Sequence, residues 1–125
     1  MKITVKMNQQ KLHDIEKAVR DSAVETMEAL YTDLVSSQTM PFDTGNMQNN
    51  QTFTESTENG AVLITGVPQA RRLYYHPEYN FQTAKNKNAG AYWLEPYLTG
   101  NRKDFVKTSF AEALERRGHE LFITS

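Results

Sequence analysis

The stretch from residue 8 to residue 37 contains neither glycine nor proline, and its apolar side chains recur every three or four positions. This spacing places them on one stripe of an amphipathic helix, which Asn8 can cap. Such a helix is roughly 40 Å long, whereas a compact domain of this chain length is only about 36 Å across. We therefore expect it to span the whole fold, as a platform for a sheet or as a surface shared with another subunit. The stripe consists of Leu12, Ile15, Val19, Ala23, Met27, Leu30 and Leu34.

Two further patterns predict β-structure. Residues 2–7 alternate polar and apolar side chains, which indicates a short strand. Residues 51–56 and 61–65 are β-prone, and Asn59 and Gly60 lie between them. Asn-Gly between two such runs predicts a hairpin, because a type I′ turn requires positive φ at both central residues. The sequence therefore predicts an antiparallel sheet with a central hairpin.

The second half of the chain predicts helices on either side of a long loop. A short helix is expected over residues 68–75, since proline favours a first helical turn. Residues 76–97 contain Asn, Gly and Pro but are too aromatic for a disordered linker, so we expect a long, ordered loop. A C-terminal helix is expected to be capped by Asn101, with Asp104 in a capping-box position, and to stop at Gly118. The predicted fold class is α+β, with the hairpin sheet packed against a long N-terminal helix and a C-terminal helix.

The composition favours a single domain, residues 1–125, and removes several function classes. Two separate cores in 125 residues would each be too small. The absence of cysteine excludes disulfides, thiolate metal sites and thiol nucleophiles. No apolar run approaches the roughly 18 residues of a membrane span, and the first residues lack the apolar core of a signal peptide, so we expect a soluble protein without membrane partners. A formal net charge of -1 argues against a globally basic nucleic-acid-binding protein.

Charged and aromatic side chains are unevenly distributed. Residues 41–70 contain three acidic and no basic residues, whereas the basic segment 71–107 contains seven basic and three acidic ones. Seven aromatic residues fall within 74–97. Three interpretations remain open: a protein interface built on the core, core packing alone, and a nucleic-acid surface on which bases stack. The candidate subunit interface consists of Arg71, Arg72, Tyr74, Tyr75, Tyr79, Phe81, Tyr92, Trp93 and Tyr97.

The motifs that could carry catalysis are weak. Asp43-Thr44-Gly45 is the tripeptide of aspartic proteases, in which two loops bring paired carboxylates together. Its neighbours are polar and a long helix precedes it, so a turn before the hairpin is the favoured interpretation, and a small homodimeric protease that uses Asp43 is the alternative. His76 and Glu78 could be metal ligands or an acid–base pair, yet no third ligand at a telling spacing accompanies them. We therefore expect no catalytic residue, no metal and no cofactor.

The order of motifs along residues 35–117 resembles that of a bacteriophage protein family. A Thr-Gly turn at 43–47 (DTGNM) follows the long helix and leads into the hairpin. The segments 70–81 (ARRLYYHPEYNF) and 88–97 (NAGAYWLEPY) come next, before the final helix. This order is similar to that of the minor capsid and head–tail joining proteins, or neck and tail-completion proteins, of long-tailed bacteriophages.

The resemblance implies a structural subunit of a ring that joins the capsid portal to the tail and lets DNA pass, with no catalytic residues. The implied partners are further copies of the chain, other neck, portal-adaptor or tail-terminator proteins, and transient non-specific contacts with DNA. The implied location is the neck of the virion, after assembly in the host cytoplasm. In a ring, one patch of each subunit contacts a different patch on the next. We therefore expect the acidic hairpin of one copy to face the basic segment of its neighbour.

Overall fold

The structure is a computed structural model that describes residues 2–4, 8–41, 46–58, 60–81 and 83–123. Its architecture is α+β, with a two-stranded antiparallel sheet, a long N-terminal helix and a C-terminal helix that pack together, as the sequence predicts. None of the helices in these ranges is long and apolar enough to cross a membrane. The elements in chain order are α1 (Gln9–Ser37), a π-helical turn (Asn46–Asn50), β1 (Thr52–Thr57), β2 (Gly60–Thr65), α2 (Pro68–Tyr74), α3 (Glu95–Leu98) and α4 (Phe105–Ile123).

Helix α1 begins and ends where its local chemistry dictates. The side-chain oxygen of Asn8 accepts a hydrogen bond from the N–H of Lys11 at 3.0 Å, which confirms the predicted cap. At the other end Gln38 has φ 57°, and its N–H donates to the carbonyl of Val35 at 3.2 Å. A left-handed residue at this position ends a helix, because it turns the chain away while satisfying a terminal carbonyl.

The buried face of α1 differs from the predicted apolar stripe. Of that stripe only Leu30 and Leu34 are fully buried, and Val19 is 37% exposed. The sequence pattern is misleading because α4 packs against small and polar side chains, which allow a close approach of the two helices. The fully buried residues recur every four positions: Ala18, Ser22, Thr26, Leu30 and Leu34.

Helices α1 and α4 run antiparallel along this seam of small side chains. Glu25 of α1 pairs with Arg116 and Arg117 of α4, whereas Asp33, further along α1, pairs with Arg102 just before α4. Ala113 is completely buried in the seam. The buried hydroxyl of Thr26 donates to a carbonyl of its own helix at 2.7 Å, so its polarity is satisfied within α1.

The β1–β2 hairpin confirms the predicted hairpin and packs against α1. Its register runs from Thr52 opposite Thr65 to Thr57 opposite Gly60. Gly60 therefore belongs to the strand ladder rather than to the centre of a turn, and Asn59, the other half of the predicted Asn-Gly turn, lies outside the described residues. Residues 2–4 are not in a strand, and the rest of the predicted N-terminal strand, residues 5–7, also lies outside the described ranges.

The C-terminal helix has different bounds from those predicted. Helix α4 starts at Phe105 rather than after Asn101, because the backbone from 100 to 104 forms turns on α3, with the N–H of Arg102 donating to the carbonyl of Pro96 at 2.8 Å. Helix α4 also continues through Gly118 to Ile123. A glycine inside a helix costs only about 1 kcal/mol relative to alanine, so a single glycine does not by itself end a helix.

The hydrophobic core gathers where the end of α1 meets α2 and α3. The seven buried members come from four separate parts of the chain, so the segment after the hairpin is held by the same core as α1. Helix α2 confirms the predicted short helix, whereas no sequence pattern predicted α3. The core consists of Leu30, Leu34, Met40, Met47, Ala70, Trp93 and Tyr97.

Candidate functional site

Four aromatic side chains, from the C-terminal end of α2 and from the segment before α3, form one edge-to-face group, the tyrosine cluster: Tyr74, Tyr75, Tyr92 and Trp93. The ring of Tyr74 is central, because its centroid lies 4.8 Å from that of Trp93 and 5.1 Å from that of Tyr75. The ring of Tyr92 is 5.6 Å from Tyr74 and 6.3 Å from Tyr75. Each edge-to-face pair contributes about 0.5–1.5 kcal/mol beyond its buried area, so these contacts favour this arrangement of the four rings.

The backbone holds the tyrosine cluster together where the long loop returns to α2. The N–H of Tyr92 donates to the carbonyl of Tyr74 at 3.0 Å. Tyr92 has φ 54°, in the left-handed region that residues other than glycine rarely adopt. Such a conformation costs about 1–3 kcal/mol, and the hydrogen bond and ring contacts of Tyr92 offset that cost. No sequence pattern indicates this turn.

Burial divides the nine candidate interface residues. Trp93 and Tyr97 are only 4% and 7% exposed, and both belong to the core of the subunit. Tyr74 and Phe81 are half-buried. Exposed aromatic rings beside exposed arginines are the composition expected of a protein interface. The exposed members are Arg71, Arg72, Tyr75, Tyr79 and Tyr92.

Tyr97 lies apart from the cluster and joins α3 to α1. Its hydroxyl donates to Oδ2 of Asp33 at 2.6 Å, and the guanidinium of Arg102 donates to Oδ1 of the same carboxylate at 2.6 Å. Arg102 also lies over the rings of Tyr97 and Phe105, 5.9 and 5.3 Å from their centroids. Burial and the Asp33 carboxylate raise the pKa of Tyr97 well above its ordinary value. Tyr97 is therefore a permanent hydrogen-bond donor that fixes the position of α3.

The hydroxyl of Tyr74 makes a second tie, to α3. It donates to Oε1 of Glu95 at 3.4 Å. Burial, assisted by the Glu95 carboxylate, raises the pKa of Tyr74 to about 12. The phenol therefore stays protonated at physiological pH and orients the ring rather than acting as a base.

His76 and Glu78, the pair that the sequence singles out as possible ligands, are in contact. Nδ1 of His76 lies 2.6 Å from Oε1 of Glu78, and this hydrogen bond lowers the pKa of the carboxyl. The imidazole also stacks on Tyr79, with ring centroids 4.7 Å apart. Within the described ranges no three His, Asp or Glu side chains come together as a metal site. The contacts of the pair position Tyr79 on the surface. The other candidate for chemistry, Asp43-Thr44-Gly45, lies outside the described residues.

Asn86 is a residue of the site that sequence reasoning missed. It is 5% exposed, and its side-chain amide donates to the carbonyl of Met40 at 2.8 Å and to Oε1 of Gln48 at 2.7 Å. The neighbouring backbone is tied to the same region, because the N–H of Asn88 donates to the carbonyl of Gln38 at 3.0 Å. Asn86 lies in the polar tract Lys85-Asn86-Lys87-Asn88, and nothing in that sequence distinguishes it as the buried residue. These bonds fasten the 76–97 loop to the end of α1.

Comparison of the chain with protein-family models, with curated proteins and with solved structures found no match. Function is therefore inferred from the geometry of the described residues and from the order of motifs in the chain.

Proposed function

We propose that this chain is a structural subunit of the neck of a long-tailed bacteriophage, where copies form a ring that joins the capsid portal to the tail and lets DNA pass. The proposal assigns no catalytic residue, metal or cofactor. Its partners are further copies of the chain and the neighbouring neck, portal-adaptor or tail-terminator proteins. Its place is the virion neck, after assembly in the host cytoplasm.

The observation that carries the proposal is the group of large side chains left on the surface around α2 and α3. Leu98 is 65% exposed and Tyr75 59%, and Tyr79 and Tyr92 are each 39% exposed. Contiguous apolar and aromatic surface of this kind is typical of protein contact sites. The backbone and hydroxyl ties described above hold the tyrosine cluster in place, so a partner meets a preformed surface and little ordering entropy is lost on binding.

The length of α1 also supports an assembled state. Its 29 residues extend about 44 Å, whereas the 19 residues of α4 extend about 28 Å. Part of α1 therefore has no counterpart in α4 along the seam. The hairpin also packs on α1, and the exposed Val19 leaves apolar surface of α1 for a neighbouring subunit.

A nucleic-acid-binding module is the second candidate, because Arg71, Arg72, Lys85 and Lys87 are all exposed and Arg71 lines the same groove as the exposed Tyr75. Retention of double-stranded and single-stranded DNA at increasing salt separates the two functions. A neck subunit is expected to show weak retention that disappears at moderate salt, since a conduit that bound phosphate tightly would hinder passage. Tight binding of a single strand that Tyr75→Ala abolishes would instead favour the module.

Two experiments test the neck proposal directly. The neighbouring reading frames should encode portal and capsid proteins on one side and tail proteins on the other, and metabolic neighbours would overturn the proposal. In a phage that carries the gene, its deletion should leave filled heads and free tails unjoined. Complementation with Tyr75→Asp should fail, whereas Thr108→Asp, a matched change on the exposed first turn of α4, should restore plaques. Joined particles in the deletion strain would refute the assignment.

A further inference from the structure

The outer face of the hairpin carries an exposed apolar and acidic patch. Residues paired across the two strands point to the same face, and so do alternate residues along one strand. Glu55 is paired with Val62, and Phe53 lies two residues before Glu55. Phe53, Glu55 and Val62 therefore lie on one side of the sheet. Phe53 is 44% and Val62 39% exposed. Leu63 and Thr52 point to the other side, where Thr52 is buried and Leu63 packs on the core. We call the set Phe53, Glu55 and Val62 the outer hairpin patch.

A groove opens on the other side of the same sheet, between β2, α2 and α3. Its volume is about 370 Å³. Leu34 and the buried Trp93 contribute to its floor, Leu63 and Thr65 of β2 line it, and the exposed side chains of Tyr75 and Leu98 border it. We call it the α2–α3 groove. It is apolar inside and has two large exposed side chains at its edge, which is the form of a docking site.

The charges of the patch and of the groove are opposite. Glu55 belongs to the patch, Glu58 follows at the end of the hairpin, and both are exposed. Among the described residues that line the groove, Arg71 carries the charge, and the exposed Arg72 follows it. Complementary charges of this kind select the partner and its orientation.

We propose that the outer hairpin patch of one copy docks in the α2–α3 groove of the next copy. The inference rests on the proposed function and names the contact that builds the ring. Patch and groove lie on opposite sides of one sheet, because the groove is lined by Leu63 and the patch contains Val62. A copy that docks through its patch therefore leaves its own groove open to a third copy. Such a contact between unlike patches repeats in one direction and closes into a ring when the rotation allows.

The area of the patch determines how the contact must be measured. Strands of six residues extend about 20 Å, and two strands are about 10 Å wide, so the patch covers roughly 200 Å². A stable interface uses about 800 Å² per partner. One contact is therefore weak, and the dilute protein is expected to be monomeric. Cross-linking of concentrated protein is the appropriate assay.

The test uses the absence of cysteine in the chain. Val62→Cys and Leu98→Cys are made in separate full-length proteins, which are mixed at several hundred micromolar and treated with a short bis-maleimide. The mixture should give at least about tenfold more dimer than either variant alone, because the contact joins unlike positions. The double variant Val62→Cys with Leu98→Cys should give a ladder of higher oligomers. Equal dimer yields in all three samples, or none in any, would overturn the proposal.

A charge exchange tests the role of the ion pair in the same assay. Glu55→Lys in the Val62→Cys protein, or Arg71→Glu in the Leu98→Cys protein, should each lower the cross-link yield by about threefold or more, and the two together should restore it. Lys107→Glu is the matched control, an exposed charge reversal on α4 at a residue that neither lines the groove nor belongs to the patch. All of these positions are on the surface, and thermal melts establish that the variants fold. A yield that stays low when both changes are combined would contradict the pairing.

The docking geometry and the neck function can fail separately. If immunolabelling places the chain in virion necks while the 62–98 link is absent in purified protein and in virions, the contact is wrong and the function stands. If the link forms in purified protein while virions lack the chain, the contact stands and the neck function is wrong.

Discussion

Replacement of Asn86 with alanine is expected to release the 76–97 loop from the end of α1. The side-chain amide makes two hydrogen bonds, of 2.8 Å to the carbonyl of Met40 and of 2.7 Å to Oε1 of Gln48, in a site that is 5% exposed. The variant leaves both acceptors buried without this donor, at a cost of about 1–1.5 kcal/mol each. The total, about 2–3 kcal/mol, corresponds to a fall in Tm of about 8–12 °C for a domain of this size.

Limited proteolysis reports whether the loss is local to the loop. Lys85 and Lys87 flank Asn86 and are exposed, and trypsin cleaves after lysine only in segments that open. If opening of the loop becomes easier by 2–3 kcal/mol, cleavage at these two lysines should accelerate roughly 30- to 150-fold. Mass spectrometry of the first fragments identifies the sites.

Asn88→Ala is the matched control for this prediction. The Asn88 side chain also donates to a carbonyl, that of Ser37 at 3.0 Å, but it is exposed, so water can replace it. Its loss should therefore cost less than about 1 kcal/mol. Equal falls in Tm for the two variants, or unchanged cleavage after Lys85 and Lys87 in Asn86→Ala, would refute the idea that one buried amide holds the loop.

Three other substitutions have outcomes that the structure determines. Gly100→Ala should destabilise the fold by about 1–3 kcal/mol in chemical denaturation, because its Cβ would lie 2.7 Å from Cα of Pro96. Gly118→Ala should stabilise it by about 0.5–1 kcal/mol, because the site is helical and has no neighbour within 4 Å; a loss of stability would contradict the geometry. The hydrogen bond from Arg116 lowers the pKa of Glu25 below 4.5, so the Glu25 carboxylate stabilises the native state above pH 4.5 and this stabilisation is lost as the pH falls through the lowered pKa. The difference in free energy of unfolding between the wild type and Glu25→Gln should therefore shrink as the pH falls from 6 to 3. A difference that stays constant over this range would exclude the ion pair.

The elements that the sequence predicted correctly are those with a strong local signal. Asn8 caps α1 because its side-chain oxygen reaches the first turn, whatever packs on the helix later. The hairpin follows from β-prone runs on either side of a short turn, and its strands occupy nearly the predicted residues. The cap and the hairpin depend on residues that are close together in the sequence, so the sequence alone is enough to predict them.

The features that could not be predicted depend on contacts between distant segments. Ser22 and Thr26 are buried because α4 lies on them, and nothing local marks polar residues as a buried face. The positive φ of Tyr92 depends on a hydrogen bond to Tyr74 and on ring contacts within the tyrosine cluster.

The small side chains between α1 and α4 have a consequence for the axial register of the two helices. Ala18, Ser22 and Ala113 offer no bulky projections that would resist sliding of α4 along this half of α1. The axial position of α4 is instead held at its start, where Phe105 and Val106 pack on the core, and along the seam by the ion pairs of Glu25 with Arg116 and Arg117. Dissolved salt weakens such pairs without affecting the apolar core. Added salt is therefore expected to loosen the second half of α4 on α1, while its first turn stays in place because it packs on the core.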